Sequence, residues 1–394
     1  MKVFVRVFTL LAVAALLSCQ NPANAPLKPS VQSPASSWVV STFAGSERGG
    51  YRDGPGTSID PSIGAWFDHP YDVAVDASDN VYVADTLGNR IRKITPEGVV
   101  STLAGDGTAG YRNGAGDQAR FDHPAGVAVD SSGNVYVADT GNHRIRKITS
   151  RGVVSAYSGS GTAGLSNGSF SIFERGGRYN RWVRSWYGRS VQFNRPSGIA
   201  VDSTRNNVYV ADTYNHQIRK IAAGFDAYGR RITYETVSTI GADGVEAALY
   251  YPHDVALDRL GNLYVADSNK HRILKFKTSG EISVFAGSAR GKSGLGVDGA
   301  GTRARFDTPS GVAVDASGNV FVADTFNNLI RMITPGGVVS TIAGSTRSYA
   351  RGHVDGTGDQ ARFNNPYGVA VDSSGNVYVA DAFNHRIRKI TRRP

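Results

Sequence analysis

The residues of this chain that could do chemistry fall in two places. One is Pro252-His253-Asp254, which together with Asp72 offers an imidazole and two carboxylates. Such a set can pass protons, or hold a divalent cation through nitrogen and oxygen. The other is the window 175–189, where five arginines and four tryptophan or tyrosine residues fill 15 positions. There Arg178, Tyr179, Arg181, Trp182, Arg184, Trp186 and Tyr187 supply forks for carboxylate or phosphate and flat rings for sugars or cations. The window reads as a lip that grips an anionic or glycan-like ligand; the competing reading is a flap packed on the body. Other reactive signatures are missing. Cys19 is the single cysteine of the chain, and there is no His-Glu-x-x-His. Asp355-Gly356-Thr357-Gly358-Asp359 lacks the full pattern of a calcium loop and reads as a turn.

These residues are positioned by a repeat. The cleanest copy runs Pro124-Ala125-Gly126-Val127-Ala128-Val129-Asp130, then Asn134-Val135-Tyr136-Val137-Ala138-Asp139, then His143-Arg144-Ile145-Arg146-Lys147-Ile148, then Val153-Val154-Ser155. Six copies are anchored at Pro70, Pro124, Pro196, Pro252, Pro309 and Pro366. Valine, isoleucine and tyrosine between turn residues make each copy four short strands, a to d, joined by tight turns. Six such sheets predict an all-β, six-bladed β-propeller of four-stranded blades. The last copy stops after strand c, at Ile387-Arg388-Lys389-Ile390. The first is preceded by an orphan strand d, Val39 to Gly45, whose letters nearly match Val338 to Gly344. The N-terminal strand is therefore expected to close the last blade.

The template also sorts its own residues. Asp85, Asp139, Asp212, Asp267, Asp324 and Asp381 recur at one position, and Asn89, His143, His216, His271, Asn328 and His385 at another. A residue present in every blade is expected to serve turns rather than chemistry. The basic residues of strand c, such as Arg144, Arg146 and Lys147, are expected on a solvated outer surface. Asp72 and Asp254 break the pattern, since the other four blades carry glycine there. Long d-to-a connections point to that face of the ring as the ligand surface.

The template resembles the NHL repeat, and the resemblance covers nearly all of residues 37–394. Peptidyl-hydroxyglycine lyases are similar in fold and bind zinc through several histidines, one in a Pro-His motif; Pro252-His253-Asp254 matches it once. Gluconolactonase-like propellers hold calcium in the channel, but no matching Glu, Asn and Asp set can be placed here. Fold alone does not decide function; the missing catalytic set and the composition of the long loops point to a binding scaffold without a resident cofactor. The alternative is a divalent-metal-dependent hydrolase or lyase, with calcium or zinc, built around Asp72, His253 and Asp254.

The N-terminus reads as an export signal. Lys2 and Arg6 precede an apolar stretch, Val7 to Leu17, that is too short to span a bilayer. Leu16-Leu17-Ser18-Cys19 resembles a lipobox, which implies lipidation of Cys19. The expected organisation is residues 1–18 as a lipoprotein signal peptide, 19–36 as a flexible tether rich in Pro, Ala, Asn and Ser, and 37–394 as the propeller. The net charge of +10 suits anionic partners. Expected partners are a protein, a peptide or an anionic glycan, and a membrane through the lipid anchor on the bacterial envelope. Nucleic acid is not expected, and the body is expected to be a monomer.

Overall fold

In a computed structural model the chain is described over residues 34–57, 63–171, 190–225, 231–240, 248–288, 291, 293–346 and 351–393. Six antiparallel sheets succeed one another along the chain. In blade one, strand a is Pro70–Val75, b is Val81–Asp85, c is Arg90–Ile94 and d is Val99–Ala104. The same order recurs from Pro124, Ile199, Pro252, Pro309 and Pro366 onward. Among the described residues no helix is long and apolar enough to cross a membrane.

The ring closes as the repeat count requires. Strand Trp38–Gly45 pairs antiparallel with Arg386–Arg392, with Val40 opposite Ile390 and Gly45 opposite Arg386. It is thus strand d of blade six, and pairing covers what would be an exposed strand edge at each end of the chain. Trp38 adds a wedge: it is 4 % exposed and meets Phe321 of blade five edge to face, with ring centroids 6.5 Å apart. Blade five alone makes room for it. Elsewhere strand b carries Tyr facing a strand-c Lys, as in Tyr82 opposite Lys93, whereas here Phe321 faces Met332. Residues 34–36, expected in the tether, belong to a 3-10 turn, Pro34–Ser37, in which Ala35 is buried.

The core is six separate clusters, one between each pair of neighbouring blades. Strands b alternate faces along their length and are buried at every position, as in Val81–Asp85, except at the partly buried Tyr209 of blade three. The alanines next to the last residue of strand a, among them Ala128, Ala256 and Ala370, sit at the crowded inner edge, where a larger side chain would collide with the next blade.

Two further features were not anticipated. Five blades carry a short fifth strand from the d-to-a connection, such as Gly54–Pro55 beside Val99–Val100 in blade one. The strand-c arginine expected in solvent is buried instead: Arg92, Arg146, Arg219, Arg331 and Arg388 are each 0 % exposed. In blade two, Arg146 Nη1 donates to Asp139 Oδ2 at 2.7 Å and to the Arg120 carbonyl at 2.9 Å. Its Nη2 donates to the Arg112 carbonyl at 2.9 Å and to Asn113 Oδ1 at 2.7 Å. The guanidinium lies over Phe121, 5.0 Å from the ring centroid. The repeating aspartate and the loop residues Asp53, Asn113, Asn167, Asp298 and Asp355 are therefore one device. It ties the fifth strand to the sheet. Blade four has Leu274 in place of the arginine, and its sheet has four strands among the described residues. The Asp355 turn that faintly resembles a calcium loop is a member of this device.

Candidate functional site: two faces of the ring

Neighbouring blades are joined by a repeated pair of hydrogen bonds. The hydroxyl after the repeating aspartate reaches the carbonyl of the next blade's anchoring proline: Thr86 to Pro124 at 2.7 Å, Thr140 to Pro196 at 2.6 Å, Thr213 to Pro252 at 2.8 Å, Ser268 to Pro309 at 2.6 Å and Thr325 to Pro366 at 2.7 Å. The recurring His or Asn takes the left-handed conformation, as at His143 with φ 52°. Its side chain accepts the backbone N–H of the residue preceding that proline, as when Arg195 N–H donates to His143 Nδ1 at 3.1 Å. These residues are structural, as expected, but they bond across blades rather than within a turn.

Next to the prolines, three large side chains close the axis on the long-loop face. Tyr71 of blade one stacks on Tyr367 of blade six, centroids 4.2 Å apart, and its hydroxyl lies 3.2 Å from His253 Nδ1 of blade four. Ser197 and Ser310, at the same template position, instead bond the neighbouring backbone. The space left among these residues is about 10 Å³, room for about one water centre. The pore mouth on this face is therefore plugged.

Just below the plug stand Asp72 and Asp254, 7 % and 8 % exposed. Asp72 accepts the Val127 N–H at 3.0 Å, and Asp254 accepts those of Val255 at 2.8 Å and Val312 at 2.9 Å. Each carboxylate thus reaches into a neighbouring blade. On the other side each fills the space beside a glycine: a Cβ on Gly198 would lie 2.2 Å from Asp254 Oδ1, and one on Gly368 would lie 2.4 Å from Asp72 Oδ1. Burial pushes the Asp72 carboxyl up to about 7, against its backbone donors. Burial and then the Asp72 charge push Asp254 well above the usual carboxylate range. Burial lowers His253 to about 4, so its imidazole is neutral at pH 7. The neck therefore holds two carboxyls that keep their protons to higher pH than free ones, beside a neutral imidazole.

Beyond the aspartates the axis widens toward the short-turn face into a cavity of about 220 Å³. Its wall is built from strands a of all six blades, from Val73 and Ala74 round to Ala370 and Val371. The sequence pointed to the long-loop face, yet the open axial space is on the opposite one. The long-loop face instead carries exposed apolar side chains around the plug. Leu87, Tyr214, Phe326 and Phe383 occupy one template position, the second after the repeating aspartate, in four of the six blades and are 44–51 % exposed; blades two and four have Gly141 and Asn269 there. Beside Tyr214, Tyr250 and Tyr251 add a cluster with His216; Tyr214 and Tyr251 lie 5.2 Å apart, and the Arg195 guanidinium lies 5.4 Å from the Tyr214 ring. The signal for this ring was an apolar residue recurring inside a turn.

Of the residues singled out in sequence, Asp72, His253 and Asp254 do meet at the neck. Arg178, Tyr179, Arg181, Trp182, Arg184, Trp186 and Tyr187, and likewise Cys19, lie outside the described residues. One string, Gly164-Leu165-Ser166-Asn167-Gly168, has the spacing of a nucleophile elbow, but it is a loop leading into an edge strand rather than a strand-to-helix turn. Ser166 donates its hydroxyl to the Asn167 carbonyl.

Sheet count, closure and repeat together define a six-bladed propeller. The NHL repeat model matches residues 121–148, 193–221, 249–276, 306–331 and 363–390, five of the six template copies. The chain carries five NHL repeats. It is 30 % identical over 308 residues to NHL repeat-containing protein 2 of Bos taurus, covering 68 % of this chain and 38 % of that protein. It is 31 % identical over 286 residues to Protein SUPPRESSOR OF QUENCHING 1, chloroplastic, of Arabidopsis thaliana, covering 68 % and 25 %. The chain thus spans well under half the length of these relatives. Among solved structures, an auxiliary nutrient binding protein from Bacteroides thetaiotaomicron superposes with a TM-score of 0.62 at 18 % identity, covering 90 % of this chain and 76 % of that one. That likeness is one of fold.

Proposed function

We propose that the protein is a binding scaffold that presents its long-loop face to a protein or peptide, held at the bacterial envelope by lipid on Cys19. The observation that carries this reading is the ring of Leu87, Tyr214, Phe326 and Phe383 around a closed axis. Large side chains left about half exposed at equivalent positions of several blades form an apolar surface of the kind partners cover. The plug also bears on the alternative, a metal-dependent hydrolase or lyase at Asp72, His253 and Asp254. A substrate coming from the long-loop face would meet stacked rings with space for about one water, and from the other face it would have to enter a tube of valine and alanine.

The test is site-specific photocrosslinking in the producing cell, with the probe at Phe326 or, on the opposite face, at Ser317. The expected result is a discrete adduct from position 326 that disappears when Tyr214 and Phe383 are replaced by Ser. Adducts from position 317 alone, or adducts unaffected by the two replacements, would overturn the reading. An adduct that shifts with glycosidase treatment would assign the face to a glycan.

A further inference from the structure

The seam between blades six and one, where the ring closes, differs from the other five. At this seam the hydroxyl residue is replaced by Ala382, so nothing at that position can donate to the Pro70 carbonyl. The second bond is also the longest of its kind. The His69 N–H lies 3.3 Å from His385 Nδ1, whereas the other five junctions give 2.9, 3.1, 3.1, 3.0 and 2.8 Å.

At the closing seam the His385 ring faces both Asp68 and a second imidazole, His69. Asp68 Oδ1 lies 2.9 Å from His69 Nδ1 and 3.8 Å from His385 Nδ1, and the two imidazoles meet edge to face with centroids 4.6 Å apart. Among the described residues this is the one place where three His, Cys or carboxylate ligand atoms all lie within 4.8 Å of one another. A tetrahedral ion with bonds of about 2.0–2.2 Å separates its ligands by roughly 3.4 Å, inside that span. Both rings keep some access to solvent, with side chains 32 % and 17 % exposed, so a water could complete the shell. The loop leaving the closing strand covers the group: a Cβ on Gly49 would lie 2.7 Å from His385 Cε1 and 3.2 Å from Asp68 Oδ1. The Arg386 side chain, next in sequence to His385, is turned toward Glu47, 3.7 Å away, and the Asn384 carbonyl.

We propose that Asp68, His69 and His385 form a binding site for a zinc-class divalent cation that clamps the ring at its closing seam. Two imidazoles and one carboxylate suit zinc, nickel or cobalt; calcium and magnesium prefer all-oxygen shells. The site joins blade one, blade six and the loop after the N-terminal strand, so an ion there stabilises closure. It lies on the long-loop face beside Phe383, whose ring meets His69 edge to face with centroids 5.2 Å apart.

The protein contains its own control. At the junction of blades five and six the same three positions are Asn364, Asn365 and Asn328, and the bridging hydrogen bond is intact at 2.8 Å. The variant D68N/H69N/H385N therefore copies a junction that the fold already tolerates. Calorimetric titration of the purified metal-free chain with Zn²⁺ should give one ion per molecule and a higher melting temperature. The triple variant should bind at least tenfold more weakly and melt at the same temperature with or without zinc. His353→Asn should bind like the parent, and Ca²⁺ and Mg²⁺ should give no comparable rise in melting temperature. If the triple variant does not fold, His69→Asn alone provides the same comparison. Zinc bound equally by the parent and the Asn variant, or not bound by the parent, would overturn the proposal.

Discussion

Replacing Arg146 by Met separates a buried ion pair from ordinary packing. The side chain is 0 % exposed and makes four hydrogen bonds, of which the one to Asp139 Oδ2 at 2.7 Å pairs charges in a site with no solvent access. Methionine fills part of the volume but leaves the carboxylate with only the Asp122 N–H at 2.8 Å and the Asn142 amide at 2.9 Å. Removing one partner of a buried pair costs about 3–5 kcal/mol. For the body Ser33–Pro394, at about 2.1 cal/mol/K per residue, that is a loss of roughly 4–7 °C in Tm. The loss should depend on pH. Burial already raises the Asp139 pKa, and Arg146 is the largest influence opposing it. Without the arginine the folded-state pKa rises further. A carboxyl with a raised folded pKa favours the fold below its unfolded value and loses that contribution as pH climbs through the folded value. The gap between parent and variant should therefore widen from pH 5 to pH 8, and Asp139→Asn added to Arg146→Met should remove most of the widening. Leu274→Met, at the equivalent buried position of blade four, should cost less than about 1.5 kcal/mol. Melting by circular dichroism across this pH range reads all four proteins. An Arg146→Met variant within about 1 °C of the parent at every pH would refute the assignment of the pair as a structural tie.

Three further outcomes follow from the closure and the neck. Trp38→Ala should lower stability by about 3–5 kcal/mol, and deletion of residues 37–45 should cause aggregation through the bared edge of blade six; a deletion variant that melts like the parent would contradict the closure. Asp72→Asn should flatten the pH dependence of Tm: the parent carboxyl, pushed up to about 7, contributes stability below about pH 4 and loses it as pH rises to 7. His253 acts in the opposite sense, contributing above about 6.5 and losing it as pH falls toward 4, so the quantity to compare is the parent-minus-variant difference between pH 4 and 8. A difference that stays constant over that range would show that Asp72 does not titrate there.

Blade number, strand order and closure were legible because they repeat. Six prolines set the period, and the orphan Val39 to Gly45 matches an internal strand letter for letter over most of its length. The arginines were misjudged because basic residues alternating with isoleucine look like an exposed face. Arg146 is buried because Asn113 and the Arg112 carbonyl, more than 30 positions earlier, come to it from a glycine-rich loop. The neck was half legible: Asp72 and Asp254 stood out against four glycines, but the stack of Tyr71 on Tyr367 with His253 needs three blades to be placed at once. The Asp68, His69 and His385 group could not be seen at all, since each residue fits the template of its own blade and His385 lies 316 positions from its neighbours.

The axial passage is a blind well. It opens on the short-turn side and ends at a floor formed by Asp72 and Asp254, while tyrosine and histidine rings cap the far side. Nothing larger than a water can travel through the middle of this wheel. Whatever docks on the loop-rich side and whatever lodges in the valine-lined shaft therefore do not compete for space, and the two faces can be engaged at the same time.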